Sequence, residues 1–183
     1  NQGGEYLQNA PGWHEQDSAW KAGQILKIIE RNKITPSTIA EIGCGAGEIL
    51  NQLHQRMTDK TILFSGYEVA PDAHELCLTR QKERLSFYLG NLLETDNFYD
   101  LLLVIDVFDH VEDYLSFIRG TAKKATYKIY HIPLDISVFA IFINNFKYIR
   151  TPGGHIHYFN RFTAIDTLKY CGLEFVVSFD TPG

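Results

Sequence analysis

A nearly continuous apolar run in the middle of the chain constrains the fold more than any other feature. Residues 99–107 read YDLLLVIDV, so only Asp100 and Asp106 interrupt an otherwise apolar segment. A strand that is apolar along both faces is typical of a parallel sheet covered on each side. Parallel neighbours need crossover connections, which are usually helices. The run therefore predicts an α/β fold with a buried strand near its centre.

The rest of the chain alternates between strand patterns and helix patterns. Short apolar segments predict strands at 38–43, 61–69, 85–89, 99–107, 127–133 and 173–179. Helical spacing of apolar residues predicts helices at 13–31, 46–57, 72–84, 111–124 and 162–172. This alternation predicts a Rossmann-like, doubly wound, mostly parallel sheet with helices on both faces. Ligands of such sheets bind outside the carboxyl ends of the strands.

Charge and cysteine content exclude some classes of partner and compartment. The chain has 17 basic and 22 acidic residues, a net charge of −5, which does not suit a nucleic-acid partner. Its three cysteines show no CxxC spacing and indicate a reducing, cytoplasmic location. We recognise no signal peptide, and no apolar run is long enough to predict a membrane span.

A glycine-rich turn follows the first predicted strand. The segment AEIGCGAGEIL, residues 40–50, carries Gly43, Gly45 and Gly47 at alternate positions and leads into a helix pattern. Glu48 occupies the place of the third glycine in the dinucleotide fingerprint. A carboxylate in the first helical turn repels a pyrophosphate that binds the same helix end. The motif therefore favours a ligand without phosphates.

The second predicted strand ends at Glu68, 25 residues after Gly43. An acidic residue at about this offset accepts hydrogen bonds from ribose hydroxyls. A ribose without phosphate, bound among acidic residues, indicates a cationic nucleoside such as S-adenosylmethionine.

Four segments, taken in order, resemble the motifs of class I S-adenosylmethionine-dependent methyltransferases. They are AEIGCGAGEIL, GYEVAP, YLGNLL and YDLLLVIDVFDHVEDY, and the resemblance covers roughly residues 38–179. It implies that one group lines the methionine part of the cofactor: Glu41, Gly43, Cys44, Gly45 and Gly47. It implies that a second group surrounds the ribose, the adenine and the methyl-transfer chamber: Glu68, Val69, Asn91, Leu92, Asp106 and Val107. The family often has Asp where this chain has Asn91.

The resemblance also divides the chain, which we expect to be one domain. A helical cap would occupy 1–35, the cofactor-binding core 36–135, and a substrate-side segment with the last strand 136–183. Trp13 and Lys21 of the cap would contact the cofactor or the substrate, although aromatic packing and a solvated lysine explain them as well. The apolar segment 136–149 fits either a packed helix or a lid over the substrate.

Histidines supply the candidate catalytic groups. His110 lies where class I enzymes often place a pocket histidine, and histidine is the residue type that most often takes a proton from a hydroxyl or amine nucleophile. An orienting or capping role fits it equally, and Asp109 reads as a helix N-terminal charge. His155, His157 and Tyr158 would lie near the mouth of the active site. An H-x-H pair can begin a metal site, but no third ligand is evident, so we predict no metal.

The sequence therefore predicts a methyltransferase that uses S-adenosylmethionine and acts on a small molecule, at an oxygen, nitrogen or carbon atom. Two alternatives stay open at this point. One is a non-catalytic module that binds S-adenosylmethionine or a related nucleoside. The other is a nicotinamide-dependent oxidoreductase, which Glu48 disfavours.

Overall fold

The computed structural model describes residues 15–138, 142 and 154–180. Trp13 and most of segment 136–149 lie outside these residues, so the roles predicted for them stay predictions. The chain divides into two compact units. The sheet unit comprises Asn1–Val107 and Lys124–His131, and the second unit comprises Phe108–Lys123 and Ile132–Gly183. The division into cap, core and substrate-side segment also stays a prediction.

The sheet unit is built on five parallel strands. They are β1 (Thr38–Ile42), β2 (Leu63–Glu68), β3 (Leu85–Leu89), β4 (Tyr99–Ile105) and β5 (Ala125–His131). Their order across the sheet is β3-β2-β1-β4-β5, and every pairing is parallel. The winding direction reverses between β1 and β4, which confirms the doubly wound, Rossmann-like class. Such a reversal is where open α/β sheets bind their ligands.

The buried run on β4 behaves as its sequence predicts. The four residues from Leu101 to Val104 are all fully buried, so both faces of the strand are covered. The strand ends at Ile105, two residues earlier than predicted. Asp106 adopts a left-handed conformation with φ of 53°, which an extended strand cannot contain.

The described part of the sheet unit has three helices: α1 (Glu15–Arg31), α2 (Glu48–Arg56) and α3 (Pro71–Leu78). Helix α2 buries Ile49, Leu50 and Leu53, the face that its spacing predicts. Proline stands in the first turn of α3, where its missing N–H costs nothing. Helix α3 is shorter than the predicted 72–84. The Thr79 hydroxyl donates to the Leu76 carbonyl (2.7 Å), and a turn then leads into β3.

The second unit contains α4 (Tyr114–Ala122), α5 (Arg161–Tyr170) and a short 3-10 helix, Phe108–His110. Helix α4 begins three residues later than predicted because the Asp113 side chain accepts from the Ser116 N–H and caps it there. Asn160 and Thr163 form a capping box at the start of α5.

The strand predicted over 173–179 is wrong. These residues lie outside every strand that the structure describes, and Val176 is 70% exposed. Alternating apolar residues form a strand only where a neighbouring strand accepts their hydrogen bonds, and that neighbour cannot be read from a local pattern. Among the described residues, no helix is both long and apolar enough to cross a membrane.

Candidate functional site

The glycine loop, residues 43–47, connects β1 to α2 and is hydrogen-bonded to the end of β2. The N–H groups of Gly43 and Cys44 both donate to the Tyr67 carbonyl, at 2.8 and 3.2 Å. Gly43, Gly45 and Gly47 all have left-handed φ values, 66°, 54° and 78°. Glycine adopts this conformation without steric cost, which explains the alternate spacing in the sequence.

Two of these glycines are also required by packing inside the protein. A Cβ at Gly43 would lie 2.8 Å from Cγ2 of Val107, and one at Gly47 would lie 2.5 Å from the Phe87 ring. The sequence suggests that bare backbone makes room for a ligand. At Gly43 and Gly47, the structure shows that side chains of the protein, Val107 and Phe87, occupy the space beside the glycine. Val107 therefore packs directly against the loop.

Glu68 links the glycine loop to the end of β2. Its carboxylate is buried and accepts three backbone hydrogen bonds. Oε2 accepts from the Gly45 N–H (3.0 Å), and Oε1 accepts from Val69 and Ala70 (2.8 and 2.9 Å). The structure thus brings together the acid and the glycine that the sequence assigns to one ligand. The Val69 side chain is 68% exposed beside them.

Glu41 is the most deeply buried acid of the site. It lies on β1 with 1% exposure, and its Oε2 finds no hydrogen-bond partner among the described residues. Burial is the main cause that raises the pKa of its carboxyl, and Cys77 raises it further, while Lys21 opposes the shift. A buried acceptor of this kind suits a ligand that donates hydrogen bonds.

Glu48, in the first turn of α2, has partners that the sequence does not reveal. Its carboxylate accepts from Gln52 (2.6 Å), Arg80 (2.7 Å) and Asn51 (3.0 Å). Burial raises the pKa of this carboxyl, but the three hydrogen bonds outweigh burial and leave the pKa below its ordinary value. Because Arg80 offsets its charge, Glu48 argues less strongly against a phosphate ligand than the sequence suggests.

Asp106 forms an ion-pair cluster at the end of β4. Its Oδ2 lies 2.6 Å from Lys21 Nζ, and its Oδ1 lies 2.5 Å from His131 Nδ1. Burial raises the pKa of Asp106, but His131 and Lys21 outweigh burial, so the pKa is lowered overall. Lys21 therefore contacts a residue of the predicted site.

Sequence reasoning missed His131 in this cluster. It is the last residue of β5 and pairs with Ile105 of β4, so it lies beside the end of β4. The rule that functional residues follow strand ends applies to it, but the predicted strand extended two residues too far, to 133.

Asn91 and Leu92 follow β3. The Asn91 Oδ1 accepts from the Leu93 N–H (3.0 Å) and caps a short 3-10 helix, Leu92–Glu94, while Leu92 is fully buried. Asn91 therefore has a structural role, which leaves its predicted contact with adenine a prediction.

A histidine cluster lies in the second unit. The Oδ2 atom of Asp109 is 3.5 Å from Nε2 of His110 and 3.5 Å from Nε2 of His155. Asp109 is 1% exposed and precedes α4 by several residues, so it is not the helix N-terminal charge that the sequence suggests. His157 turns away from the cluster, with Nε2 donating to the Val111 carbonyl (2.9 Å). Tyr158 is half-buried in the same segment.

The sequence model of a family described as "Methyltransferase domain" matches residues 13–178. No curated protein sequence matches the chain significantly.

Solved structures of methyltransferases share the fold. Magnesium protoporphyrin IX methyltransferase from Synechocystis PCC 6803, solved with SAH, superposes with a TM-score of 0.66 at 14% identity, over 94% of this chain and 78% of its own. A possible histamine N-methyltransferase from Thermotoga maritima gives 0.63 at 15% identity, over 93% and 75%. The plantazolicin methyltransferase BamL gives 0.52 at 14% identity, over 66% of this chain. This chain spans 45% of the length of BamL.

Proposed function

The chain belongs to the methyltransferase-domain family, and from that premise we propose that it uses S-adenosylmethionine to methylate a small-molecule acceptor. The observation that supports this proposal is the set of acids at neighbouring strand ends. Glu41, Glu68 and Asp106 stand on or directly after β1, β2 and β4, around the glycine loop. Carboxylates attract a ligand that carries sulfonium and ammonium charges.

The residues present fit this cofactor. The Oε2 atom of Glu41 is a buried acceptor that lacks a hydrogen-bond donor among the described residues, and the ammonium group of the cofactor is such a donor. Among the described residues, Glu68 Oε2 accepts one hydrogen bond, from the Gly45 N–H, so it has capacity for a ribose hydroxyl.

We assign the cofactor contacts as the resemblance implies. The methionine part would contact Glu41, Gly43, Cys44, Gly45 and Gly47. The ribose, the adenine and the chamber would contact Glu68, Val69, Asn91, Leu92, Asp106 and Val107. Lys21 would be the cation next to the chamber, where Asp106 already holds it by an ion pair.

The cofactor supplies a methyl group that its sulfonium already activates. The protein therefore has to align the acceptor, exclude water and remove a proton from an oxygen or nitrogen nucleophile. We propose that His110 is the group that handles this proton. Trp13, His155, His157 and Tyr158 would contact or cover the acceptor.

A small-molecule acceptor is the substrate class that we favour. The net charge of −5 does not suit a nucleic-acid substrate. Solved methyltransferases with this fold are named for magnesium protoporphyrin IX, histamine and plantazolicin, so the shared fold does not select one acceptor. The cytoplasmic location stays a prediction, and the free thiols of Cys44, Cys77 and Cys171 suit it.

Calorimetric titration with S-adenosylhomocysteine tests the proposal, with NAD as the parallel ligand. We expect micromolar binding of the first and none of the second. The variant E68A should lose most of the affinity, whereas E75Q, at an exposed position of α3, should keep it. Absence of binding by folded protein would contradict the assignment of the site.

Turnover requires a second assay, with methyl-labelled S-adenosylmethionine and a panel of small phenols, amines and carboxylic acids. Methyl transfer to one member of the panel by the unchanged protein, but not by E68A, would support the proposed methyltransferase activity. Cofactor binding without transfer to any member would favour the non-catalytic module.

A further inference from the structure

We propose that Asp109, His110 and His155 bind a divalent transition-metal cation such as Zn²⁺. One ligand atom from each residue, a carboxylate oxygen or an imidazole nitrogen, lies within 4.8 Å of the other two. Two of the separations, from Asp109 Oδ2 to the two Nε2 atoms, are 3.5 Å. Zinc bonds of about 2.0–2.2 Å in a tetrahedron place neighbouring ligands about 3.3–3.6 Å apart, so these spacings already suit a cation among them.

The Nδ1 atom of each imidazole has a hydrogen-bond partner, which is typical of histidines that bind a metal through Nε2. His110 Nδ1 lies 3.1 Å from the Gly154 carbonyl, and His155 Nδ1 lies 2.9 Å from Asp135 Oδ2. A carbonyl oxygen only accepts hydrogen bonds, so Nδ1 of His110 carries the proton. A neutral ring then has its lone pair on Nε2, the atom that faces Asp109. Outer carboxylates and carbonyls orient histidine ligands in this manner.

Backbone hydrogen bonds hold the two halves of the cluster together. The Asp109 carbonyl accepts from the N–H groups of Ile156 and His157, at 3.0 and 3.2 Å. The 3-10 helix that carries Asp109 and His110 is thereby fixed to the segment that carries His155. All of these residues belong to the second unit. Three ligands placed in advance lower the entropic cost of binding a cation.

Charge and donor type indicate the class of cation. Metal binding requires neutral imidazoles, and with two ionised carboxylates, Asp109 and Asp135, such a ligand set would carry a charge of −2, which a divalent cation balances. Nitrogen donors favour Zn²⁺, Co²⁺ or Fe²⁺ over Mg²⁺, which prefers oxygen ligands. The His110 and His155 side chains keep 26% and 19% exposure, so water can reach the cation as a further ligand.

This site differs from the H-x-H pair that the sequence offers. His155 is a ligand, but His157 is not, because its Nε2 is bonded to the Val111 carbonyl. The third ligand comes from Asp109, 46 positions before His155 in the chain. With a cation bound at Nε2, His110 cannot take the acceptor's proton there, so this inference replaces the proton-handling role proposed above for His110. The cation would then lower the pKa of a bound water or hydroxyl in its place.

The test is a calorimetric titration of untagged, chelator-treated protein with Zn²⁺, without any cofactor. We expect one cation per chain, and a weaker response to Mg²⁺ than to Zn²⁺. D109N and H155Q should each abolish this binding, and D135N should weaken it about 10- to 100-fold. H157Q, a matched control in the same segment, should bind within about twofold of the unchanged protein, since its residue is not a ligand.

Titration with Co²⁺ adds a spectroscopic signature. Visible absorption bands of bound Co²⁺ should appear in the unchanged protein and in H157Q and disappear in H155Q. Far-ultraviolet circular dichroism verifies that each variant is folded. Absence of Zn²⁺ binding by the folded protein, or equal binding by D109N, would overturn the inference. Because no cofactor is present, neither result depends on the methyltransferase proposal.

Discussion

Two sets of carboxylates in this protein have different neighbours: those at the strand ends of the sheet unit, and Asp109 in the histidine cluster. Glu68 accepts three backbone N–H groups, and Asp106 lies between Lys21 and His131. Asp109 instead faces the Nε2 atoms of two imidazoles whose Nδ1 atoms are already engaged.

Glu68 and Asp106 thus have hydrogen-bond donors within the sheet unit, whereas the proposed cation would be a further partner for Asp109. A buried carboxylate that accepts several hydrogen bonds is stabilised by its donors and restricts their motion. In the proposed metal site, a cation would be bound by the carboxylate oxygen and the two imidazole nitrogens that converge there.

The largest effect is expected in the packed glycine loop. G47A places a Cβ 2.5 Å from the Phe87 ring at a φ of 78°, so it should lower the free energy of unfolding by about 2–4 kcal/mol. Urea unfolding measures this loss. G172A also changes a glycine of left-handed φ, but its Cβ meets no atom within 4 Å, so it should cost about 1–2 kcal/mol. If G47A and G172A lowered the free energy of unfolding equally, backbone strain alone would explain the loss at Gly47, without a contribution from the contact with Phe87.

The next effect concerns the histidine cluster. Zn²⁺ at 100 times its dissociation constant should raise the free energy of unfolding of the unchanged protein by about 2.7 kcal/mol. D109N should show no such rise at the same concentration, because it lacks the carboxylate ligand. Thermal unfolding with and without Zn²⁺ provides the measurement. An equal rise in D109N would place the cation elsewhere and remove the contrast between the two regions.

Asp106 should contribute stability that depends on pH. Its pKa is lowered in the folded protein, so its contribution is present above the unfolded value of about 3.9 and is lost as pH falls through the folded pKa. At pH 7, D106N should lower the free energy of unfolding by about 1–2 kcal/mol, and the loss should shrink below pH 4. D96N, at an exposed position, is the control. A loss that is independent of pH would show that the ion pairs are not its cause.

The effect expected at Glu41 is a change of stability with pH, and it has the opposite sign. Its pKa is raised, so the folded protein binds a proton that the unfolded chain releases above the ordinary value of 4.5. Stability therefore falls as pH rises from that value to the raised pKa, by at most about 1.4 kcal/mol per pH unit. E41Q should flatten this slope at pH values above 4.5, as measured by urea unfolding, whereas E75Q should keep it. Were E41Q to retain the slope, another group would be responsible for it.

Local patterns predicted most of the sheet unit. The apolar run of β4, the helical face of α2 and the glycine loop all depend on residues that are close in the chain. Glu68 was also predictable, because its distance from Gly43 and its place at a strand end are both visible in the sequence. The boundaries were less accurate, since a left-handed Asp106 or a capping Asp113 ends or begins an element through backbone conformation rather than hydrophobic spacing.

The sequence by itself determined the class of fold, the cofactor motifs and the candidate residues, because periodicity, glycine spacing and chain order express local backbone preferences. Only the tertiary structure decided which side chains meet. Strand order places His131 beside Asp106, backbone bonds bring His155 to Asp109, and residues 173–179 form no strand. Which distant residues meet depends on the path of the crossovers and loops between them. The stabilisation from a contact depends on both residues together, so the local sequence around either one does not predict it.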